Sequence, residues 1–200
     1  MDSGGGDMAG DSIKVLIACE FSGVVRDAFI AAGHDAMSCD LLPTEAPGPH
    51  YQGDVLNILR DGWDLMIAHP PCTRLANSGV RWLHERNLWA EMEAAALFFK
   101  ALMDAPILQI AIENPIMHKY ALAIIGRRYD QIIQPWQFGH GESKQTCLWL
   151  KGLDKLRPTE IVDGREQRIW RLPPTADRWK LRSMTYPGVA AAMAAQWGRE

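Results

Sequence analysis

The sequence of 200 residues predicts an α/β fold in which helices cover both faces of a largely parallel sheet. Short apolar runs alternate along the chain with stretches whose apolar residues recur at helical spacing, which is typical of parallel sheets with helical crossovers. A polar or reactive cluster follows most of these apolar runs directly. No internal repeat interrupts this order, and the length suits one domain, residues 12–200.

The first apolar run, residues 13–18, is rich in β-branched side chains and predicts a buried strand. A helical pattern follows at residues 24–32 and ends at Gly33, a residue type that favours helix C-termini. Residues 35–39 predict a second strand, which ends at Asp40. The chain therefore opens with a strand–helix–strand unit.

The same alternation continues along the middle of the chain. Asp54 opens a short helical turn at residues 55–59, and residues 64–68 predict a buried strand. This strand runs into the cluster His69-Pro70-Pro71-Cys72. The longest helical pattern covers residues 85–103, where apolar residues recur at a spacing close to 3.6.

The last part of the chain contains two more predicted strands. Residues 107–112 form an apolar run that ends at Glu113-Asn114, and residues 146–150 form another. Residues 151–182 hold several prolines and little periodicity, so we expect them to wrap the surface. An alanine-rich terminal helix is predicted within residues 185–197.

The composition argues against several classes of protein and site. No run of 18 apolar residues could span a membrane, and residues 1–11, rich in Gly and Asp, predict a flexible tail, not a secretion signal. Four widely spaced cysteines without a CxxC pair or a histidine cluster argue against a zinc site. We therefore expect a cytoplasmic protein with reduced thiols, no metal and no membrane partner, and leave its oligomeric state open.

Charge is unevenly distributed along the chain. From residue 151 onward there are ten Lys and Arg against six Asp and Glu, whereas the preceding residues have eleven against eighteen. A basic C-terminal segment on an acidic body suits either a polyanion-binding edge or a solvated surface. Tryptophans interleave with its arginines, and they either contact bases or pin the segment to the core.

The polar clusters share one topological position, because each comes just after a predicted strand. In open parallel sheets the ligand crevice lies at the carboxyl ends of the strands. Glu20, Asp40, Cys72 and Glu113 are therefore expected to converge on one edge of the sheet. This predicts a functional site from topology alone.

Each of these residue types suits a particular chemistry. Gly23 permits a tight turn, although neither a GxGxxG fingerprint nor a Walker lysine is present. Asp40 either binds ribose hydroxyls or caps a loop. Two prolines hold Cys72 rigidly at the sheet edge, as a nucleophilic thiolate requires, whereas a lone cysteine is otherwise a small buried hydrophobe. Glu113 suits proton donation to a ring nitrogen, with Asn114 fixing its direction.

Together these motifs resemble the DNA cytosine C5-methyltransferase family, in a compact form of the phage or prophage type. The resemblance implies a Rossmann-like sandwich that binds S-adenosylmethionine. It rests on the first motif, the Pro-Cys motif, the Glu-Asn motif, two acidic strand ends and the last motif. In this sequence these are Phe21-Ser22-Gly23, Pro70-Pro71-Cys72, Glu113-Asn114, Asp40 with Asp54, and Tyr186-Pro187-Gly188.

The resemblance also implies a mechanism and a set of site residues. Cys72 would add to C6 of cytosine while Glu113 contacts N3, so that C5 takes the methyl group. A duplex DNA substrate would need its base flipped out. The implied catalytic residues are Cys72, Glu113, Asn114 and Lys144, the last in place of an arginine of the family. The candidate cofactor-binding residues are Glu20, Phe21, Ser22, Gly23, Asp40, Asp54 and Pro70.

Besides Lys144, the chain departs from the family pattern at three places. Val24-Val25-Arg26 replaces further glycines, Thr73 stands where glutamine follows the cysteine, and about thirty residues separate Leu150 from the last motif. That interval is too short for a normal target-recognition domain. Three alternatives therefore stay open: a free cytosine nucleotide as substrate, a catalytically degenerate module that binds cofactor or nucleic acid, and an amino-directed methyltransferase.

Overall fold

The computed structural model describes residues 12–171, 173, 175 and 178–199, and the predicted tail, residues 1–11, lies outside the described residues. Seven strands form one sheet in the order β3-β2-β1-β4-β5-β7-β6. The strands are β1 Lys14–Ala18, β2 Asp35–Asp40, β3 His50–Gln52, β4 Leu65–Ala68, β5 Gln109–Asn114, β6 Gln131–Ile133 and β7 Thr146–Lys151. The helices are α1 Val24–Ala31, α2 Val80–Glu85, α3 Trp89–Met103, α4 Lys119–Ile125, α5 Arg168–Arg171, α6 Arg178–Ser183 and α7 Pro187–Trp197.

All strands run parallel except β7, which lies antiparallel between β5 and β6. The order of the parallel strands reverses direction at β1, so the crevice between β1 and β4 is the topological switch point of the sheet. Each face of the sheet is covered by helices. The predicted Rossmann-like α/β sandwich, mostly parallel with helices on both faces, is thereby confirmed.

Alternate residues of the central strands pack into two separate apolar cores, as the two-residue period of a strand requires. On one face, Leu16 and Met66 pack with Phe99 of α3. On the other face, Ile17 and Ile67 pack with residues of α1 and α7. Because both faces are buried, the strands are continuous apolar runs, which is why they are recognisable in the sequence.

The helical pattern predicted at residues 85–103 belongs to two helices. Helix α2 ends at Glu85, and α3 begins at Trp89. Between them Asn87 has a φ of +50°, a left-handed conformation that ends a helix. Since apolar residues continue across the break, hydrophobic spacing alone did not reveal it.

Several short elements were not predicted. Strands β3 and β6 have three residues each, too few for a periodic pattern, and α4 follows the unpredicted turn after β5. The described residues between 151 and 182 are mostly exposed, in agreement with the predicted surface segment, and they include the short helices α5 and α6. No helix among the described residues is long and apolar enough to cross a membrane.

Candidate active site

The register of the sheet sets the ends of three central strands side by side. Ala18 of β1 is the partner of Ala68 in β4, and Ala68 is the partner of Ile112 in β5. The residues that follow, Cys19, His69 and Glu113, therefore start from the same edge of the sheet. The backbone N–H of His69 also donates to the carbonyl of Ala18 at 2.9 Å, which holds the loop after β4 against β1.

The loop after β1 turns sharply through two left-handed residues, Cys19 with φ +59° and Gly23 with φ +78°. Glu20, which is 5% exposed, lies inside this turn. Its carboxylate accepts hydrogen bonds from the backbone N–H groups of Val25 at 2.7 Å and Arg26 at 3.2 Å. Ser22 donates its hydroxyl to the same carboxylate at 3.2 Å. In this structure Glu20 therefore caps the N-terminus of α1, where a negative charge also complements the helix dipole.

The Glu20→Gln variant is expected to lose about 1 kcal/mol of unfolding free energy, as for other lost N-terminal caps. The amide keeps the shape of the side chain but removes the negative charge and one acceptor oxygen. Urea denaturation followed by circular dichroism measures the change. Glu93→Gln, on the exposed face of α3, is the matched control for the loss of one charge and should unfold like the wild type. Equal midpoints for all three proteins would contradict the capping role.

Arg26 lies at the place where the sequence departs from the expected first motif. It is fully buried, and its guanidinium donates to Ser38 at 3.2 Å and to the carbonyl of Ala46 at 3.2 Å. A Cβ atom on Gly23 would lie 2.5 Å from Arg26 Nη2. Arg26 thus fixes the loop between β2 and β3 against the start of α1, and the φ of +78° at position 23 favours glycine there.

Asp40 and Asp54 converge on the loop after β1. Burial, then the charges of these two carboxylates among others, raises the pKa of the Cys19 thiol. Each carboxylate also holds its own loop: Asp40 accepts from the N–H of Leu42 at 2.9 Å, and Asp54 from that of Leu56 at 3.0 Å. An Asp carboxylate has further acceptor sites, so both remain able to bind ligand hydroxyl or amino groups.

Helix α6 covers the predicted cofactor side of the site. The ring of Trp179 lies 5.6 Å from that of Phe21, centroid to centroid, at an angle of 50°. Next to it, Lys180 Nζ is 2.8 Å from Glu45 Oε1, and the N–H of Glu45 donates to the carbonyl of Phe21. Phe21 is consequently 8% exposed. Trp179 therefore packs α6 against the loop after β1, in agreement with one of the two roles expected for the tryptophans of this segment.

Several other basic side chains of this segment are engaged within the protein. Arg168 Nε lies 2.9 Å from Glu142 Oε1, and the Arg165 guanidinium lies 3.9 Å from the centroid of the Trp136 ring. Arg182 is exposed and acts electrostatically on Cys72. Arg168 and Arg165 therefore make structural contacts within the protein, whereas the charge of Arg182 acts on the site through Cys72. The side chain of Trp170, the other tryptophan of the basic segment, lies outside the part of the chain that the structure describes.

The Pro-Pro-Cys loop is tied directly to the end of β5. Asn114, 2% exposed, donates from Nδ2 to the carbonyl of Pro70 at 2.9 Å. The carbonyl of Cys72 in turn accepts from the N–H groups of Leu75 and Ala76, which closes a turn after the cysteine. Asn114 was expected to orient Glu113, whereas its hydrogen bond orients the loop that carries Cys72. Pro70 contributes to this contact through its backbone.

Cys72 is partly buried, and its thiol is not activated in this arrangement. Burial raises the pKa of Cys72, and the charge of Glu113 raises it further, while the charges of Arg182 and Lys144 lower it. The net direction is upward. The raised pKa keeps Cys72 protonated at neutral pH in the resting protein. Since only the thiolate is a strong nucleophile, Cys72 is weakly reactive in this state.

The rate at which iodoacetamide alkylates Cys72 is therefore expected to keep rising with pH beyond the range of an ordinary thiol. The Arg182→Gln substitution removes a positive charge that lowers the pKa of Cys72, so the pKa should rise further. Alkylation should then be slower than in the wild type at about pH 8, where most thiols are partly ionised. Mass spectrometry of the peptide that contains Cys72 separates it from the other three cysteines. Arg60→Gln, an exposed change elsewhere, serves as the control. A rate that levels off near neutral pH would show that the thiolate is already formed.

Glu113 lies opposite a residue that sequence reasoning did not single out. His69 Nδ1 is 3.2 Å from Glu113 Oε2, and the two side chains are 12% and 13% exposed. Thr185 donates its hydroxyl to the same oxygen at 3.4 Å. Burial acts to raise the pKa of Glu113, but the hydrogen bond and charge of His69, with Lys144 and Thr185, lower it overall. Glu113 is therefore ionised in the resting protein.

Lys144 reaches the same group of side chains from the turn before β7. Its backbone N–H donates to Gln134 Oε1 at 2.9 Å, and its ammonium group donates to the carbonyl of Met184 at 3.3 Å. The charge of Lys144 acts on Glu113, His69 and Cys72. The structure thus brings together the predicted catalytic residues, and Lys144 supplies the positive charge.

The start of α7 closes the site on the side of Glu113. Tyr186 donates its hydroxyl to Glu142, and the N–H of Gly188 donates to His140 Nε2 at 3.0 Å. A cavity of about 10 Å³, which is the space of one water molecule, lies between Glu113, Lys144 and Tyr186. A larger cavity of about 360 Å³ lies elsewhere, beside Trp149, and none of the site residues lines it.

No family model matches the chain, and no curated protein matches it. Among solved structures, one that matches is described as the Entamoeba histolytica methyltransferase EhMeth, with 15% sequence identity and a TM-score of 0.47. The alignment covers 78% of this chain and 57% of that one, so the chain spans little more than half the length of that protein.

Proposed function

We propose that this protein transfers a methyl group from S-adenosylmethionine to C5 of cytosine in DNA. The observation that carries the proposal is the placement of Cys72 and Glu113 at the same edge of the sheet, where Asn114, next to Glu113, holds the loop that carries Cys72. The two groups lie close enough that the charge of Glu113 acts on the pKa of Cys72. A cysteine and a carboxylate of this kind are what covalent activation of a pyrimidine needs.

The proposed roles follow from the chemistry of the two side chains. Cys72 Sγ, once deprotonated, adds to C6 of the ring, and N3 takes a proton from the Glu113 carboxyl group. The C5 carbon then has enamine character and attacks an electrophile. Loss of the C5 proton and departure of Cys72 restore the aromatic ring. Lys144 and Arg182 stabilise the thiolate, because their positive charges favour its ionised form.

The residues on the other side of the crevice fit S-adenosylmethionine. Asp40 and Asp54 have remaining acceptor sites that suit ribose hydroxyls and an adenine amino group, and the charges of both act on Cys19, at the end of β1. Phe21 offers an aromatic face, which Trp179 now covers. When bound, the cofactor supplies a methyl group as an electrophile for C5. Glu20 has a different role: its carboxylate caps the N-terminus of α1 and so fixes the turn after β1, beside the proposed cofactor site.

One observation favours a free cytosine nucleotide as an alternative substrate. Between β7 and α7 the described residues form two short helices, α5 and α6, with no separate recognition domain. A small substrate would not need one. The protonated state of Cys72 is likewise compatible with the degenerate binding module. Both alternatives are separable from the main proposal by one assay.

The assay follows radiolabelled methyl transfer from S-adenosylmethionine to DNA and to dCMP in parallel. We expect label in DNA, with 5-methylcytosine in the nuclease digest, and no label when Cys72 is replaced. DNA that carries 5-fluorocytosine should in addition stay covalently attached to the wild type, because a C5 fluorine cannot leave as a proton does.

Each other outcome selects one alternative. Label in dCMP alone would assign the protein to nucleotide methylation. No label in either substrate, from folded protein that binds the cofactor, would favour the binding module. Label on an exocyclic amino group would contradict a role for Cys72 and favour the amino-directed class.

A further inference from the structure

The contact between His69 and Glu113 is a close and shielded pairing of two titratable groups. His69 Nδ1 faces Glu113 Oε2 at 3.2 Å, and both side chains are almost nine-tenths buried. The pair is held from three directions: β4 leads into His69, β5 carries Glu113, and Thr185, just before α7, donates to Glu113. Such rigid placement lets a proton pass between the two groups without rearrangement.

This pairing bears on a difficulty in the proposed chemistry. Glu113 has to deliver a proton to N3, but as an ionised carboxylate it holds none. Both contacts that it makes in the described part of the chain, from His69 and Thr185, are to Oε2. The other oxygen position of the carboxylate is therefore left for the substrate, and the imidazole of His69, in contact with Glu113, is a group that can supply a proton.

We propose that His69 stores the proton that Glu113 delivers to the ring nitrogen of the substrate base. This inference rests on the proposed function, in which Glu113 is the acid, and it adds His69 as the source of the proton. His69 acts through Glu113 and is a positioning and proton-supplying residue, since Glu113 alone faces the base.

The proton balance closes over one cycle. Before the attack, the Cys72 thiol gives its proton to water, and the imidazolium Nδ1 proton passes to Glu113 Oε2, so that His69 and Glu113 are both neutral. As the Cys72 Sγ–C6 bond forms, electrons shift through C5 and C4 to N3, and the Glu113 carboxyl group turns and gives its proton to N3, which leaves a carboxylate. After C5 has taken the methyl group and lost its proton to water, the C6–S bond breaks, the N3 proton returns through Glu113 to His69, and the released thiolate takes a proton from water.

The charges around His69 support its protonation. Burial alone acts to lower the pKa of His69, but the hydrogen bond and charge of Glu113 and the charge of Glu20 raise it overall, against an opposing effect of Lys144. Lys144 and Glu113 also act on Cys72, together with the charge of Arg182. His69 Nε2 is buried and has no hydrogen-bond partner within the described ranges. Protonation is thus maintained chiefly from the Glu113 side.

A measurement that does not depend on activity tests the stored proton first. An NMR pH titration of the imidazole resonances should place the pKa of His69 above the ordinary histidine value in the wild type. In Glu113→Gln that pKa should fall, because the neutral amide removes the main group that raises it. A His69 that titrates at the ordinary value or below in the wild type, or that is unmoved by Glu113→Gln, would overturn the proposal.

The kinetic test uses His69→Asn, because its amide N–H can still donate to Glu113 but cannot release a proton. We expect methyl transfer by this variant to fall about 100-fold at neutral pH, the lower range for loss of a general acid. The loss should shrink as the pH falls, when solvent protonates Glu113 directly. His84→Asn makes the same substitution at an exposed histidine of α2 and should leave both the rate and the pH profile as in the wild type.

The outcomes separate this inference from the proposed function. Full activity of His69→Asn with an unchanged pH profile would show that His69 only holds the carboxylate in place. Absence of methyl transfer in the wild type itself would contradict the proposed function. A wild-type His69 that nevertheless titrates high would show the stored proton independently of that reaction.

Discussion

Replacing Gly188 with alanine is expected to cost about 3–5 kcal/mol of unfolding free energy, a large part of the stability of an ordinary domain. A Cβ atom at this position would lie 1.9 Å from the backbone carbonyl oxygen of Phe138 and 3.0 Å from His140 Nε2. A backbone oxygen cannot turn aside as a flexible side chain can. The first turn of α7 would have to move away from the β6–β7 connection, and the hydrogen bond from Gly188 to His140 would break.

Urea denaturation followed by circular dichroism measures this effect. Gly141→Ala is the matched control, because a Cβ there would lie 3.4 Å from the carbonyl of Asp163, an ordinary contact, in the same region of the protein. We expect the control to shift the unfolding free energy by less than about 1 kcal/mol. A Gly188→Ala protein as stable as the control would contradict the close contact between the start of α7 and the carbonyl of Phe138.

Replacing Cys72 with serine is expected to reduce methyl transfer at least about 1000-fold, as for loss of a nucleophile in other covalent enzymes. A serine hydroxyl at this place has nearly the same size, but it stays protonated at pH values where a thiol ionises. The partly buried position and the turn closed by the Cys72 carbonyl should persist, because the backbone makes those hydrogen bonds. The rate of label transfer to DNA is the quantity to measure.

Two controls distinguish loss of the nucleophile from loss of the fold. Calorimetric titration should give the same affinity for S-adenosylmethionine in both proteins, since Asp40, Asp54 and Phe21 are unchanged. Thermal unfolding should differ little. A serine variant that keeps a tenth or more of the wild-type rate would remove Cys72 from the mechanism.

The main strands could be predicted because each is buried on both faces. Such strands are apolar throughout, so β1, β4 and β5 stand out from the chain around them. The convergence of Asp40, Cys72 and Glu113 followed from one topological rule about strand ends. That rule needs only the order of the elements, and a sequence provides it.

The detailed contacts of the site could not be predicted in the same way. The hydrogen bond from Asn114 to Pro70 joins positions 44 residues apart, and no local pattern indicates it. His69 was visible as the start of the Pro-Pro-Cys cluster, but its pairing with Glu113 depends on the register of β4 against β5. The contact of Trp179 with Phe21 likewise depends on the path of a surface segment with little periodicity.

The packing of α7 on α1 has a consequence for biosynthesis. These two helices come from opposite ends of the described chain, yet they share one apolar core with Val25 and Phe29 of α1 fully buried. During translation, α1 leaves the ribosome long before α7 is made. The nascent chain must therefore display this apolar surface until residues 187–197 emerge, an interval in which a chaperone has a site to occupy. Ribosomes that pause just before codon 187 would prolong that exposure and lower the yield of folded protein.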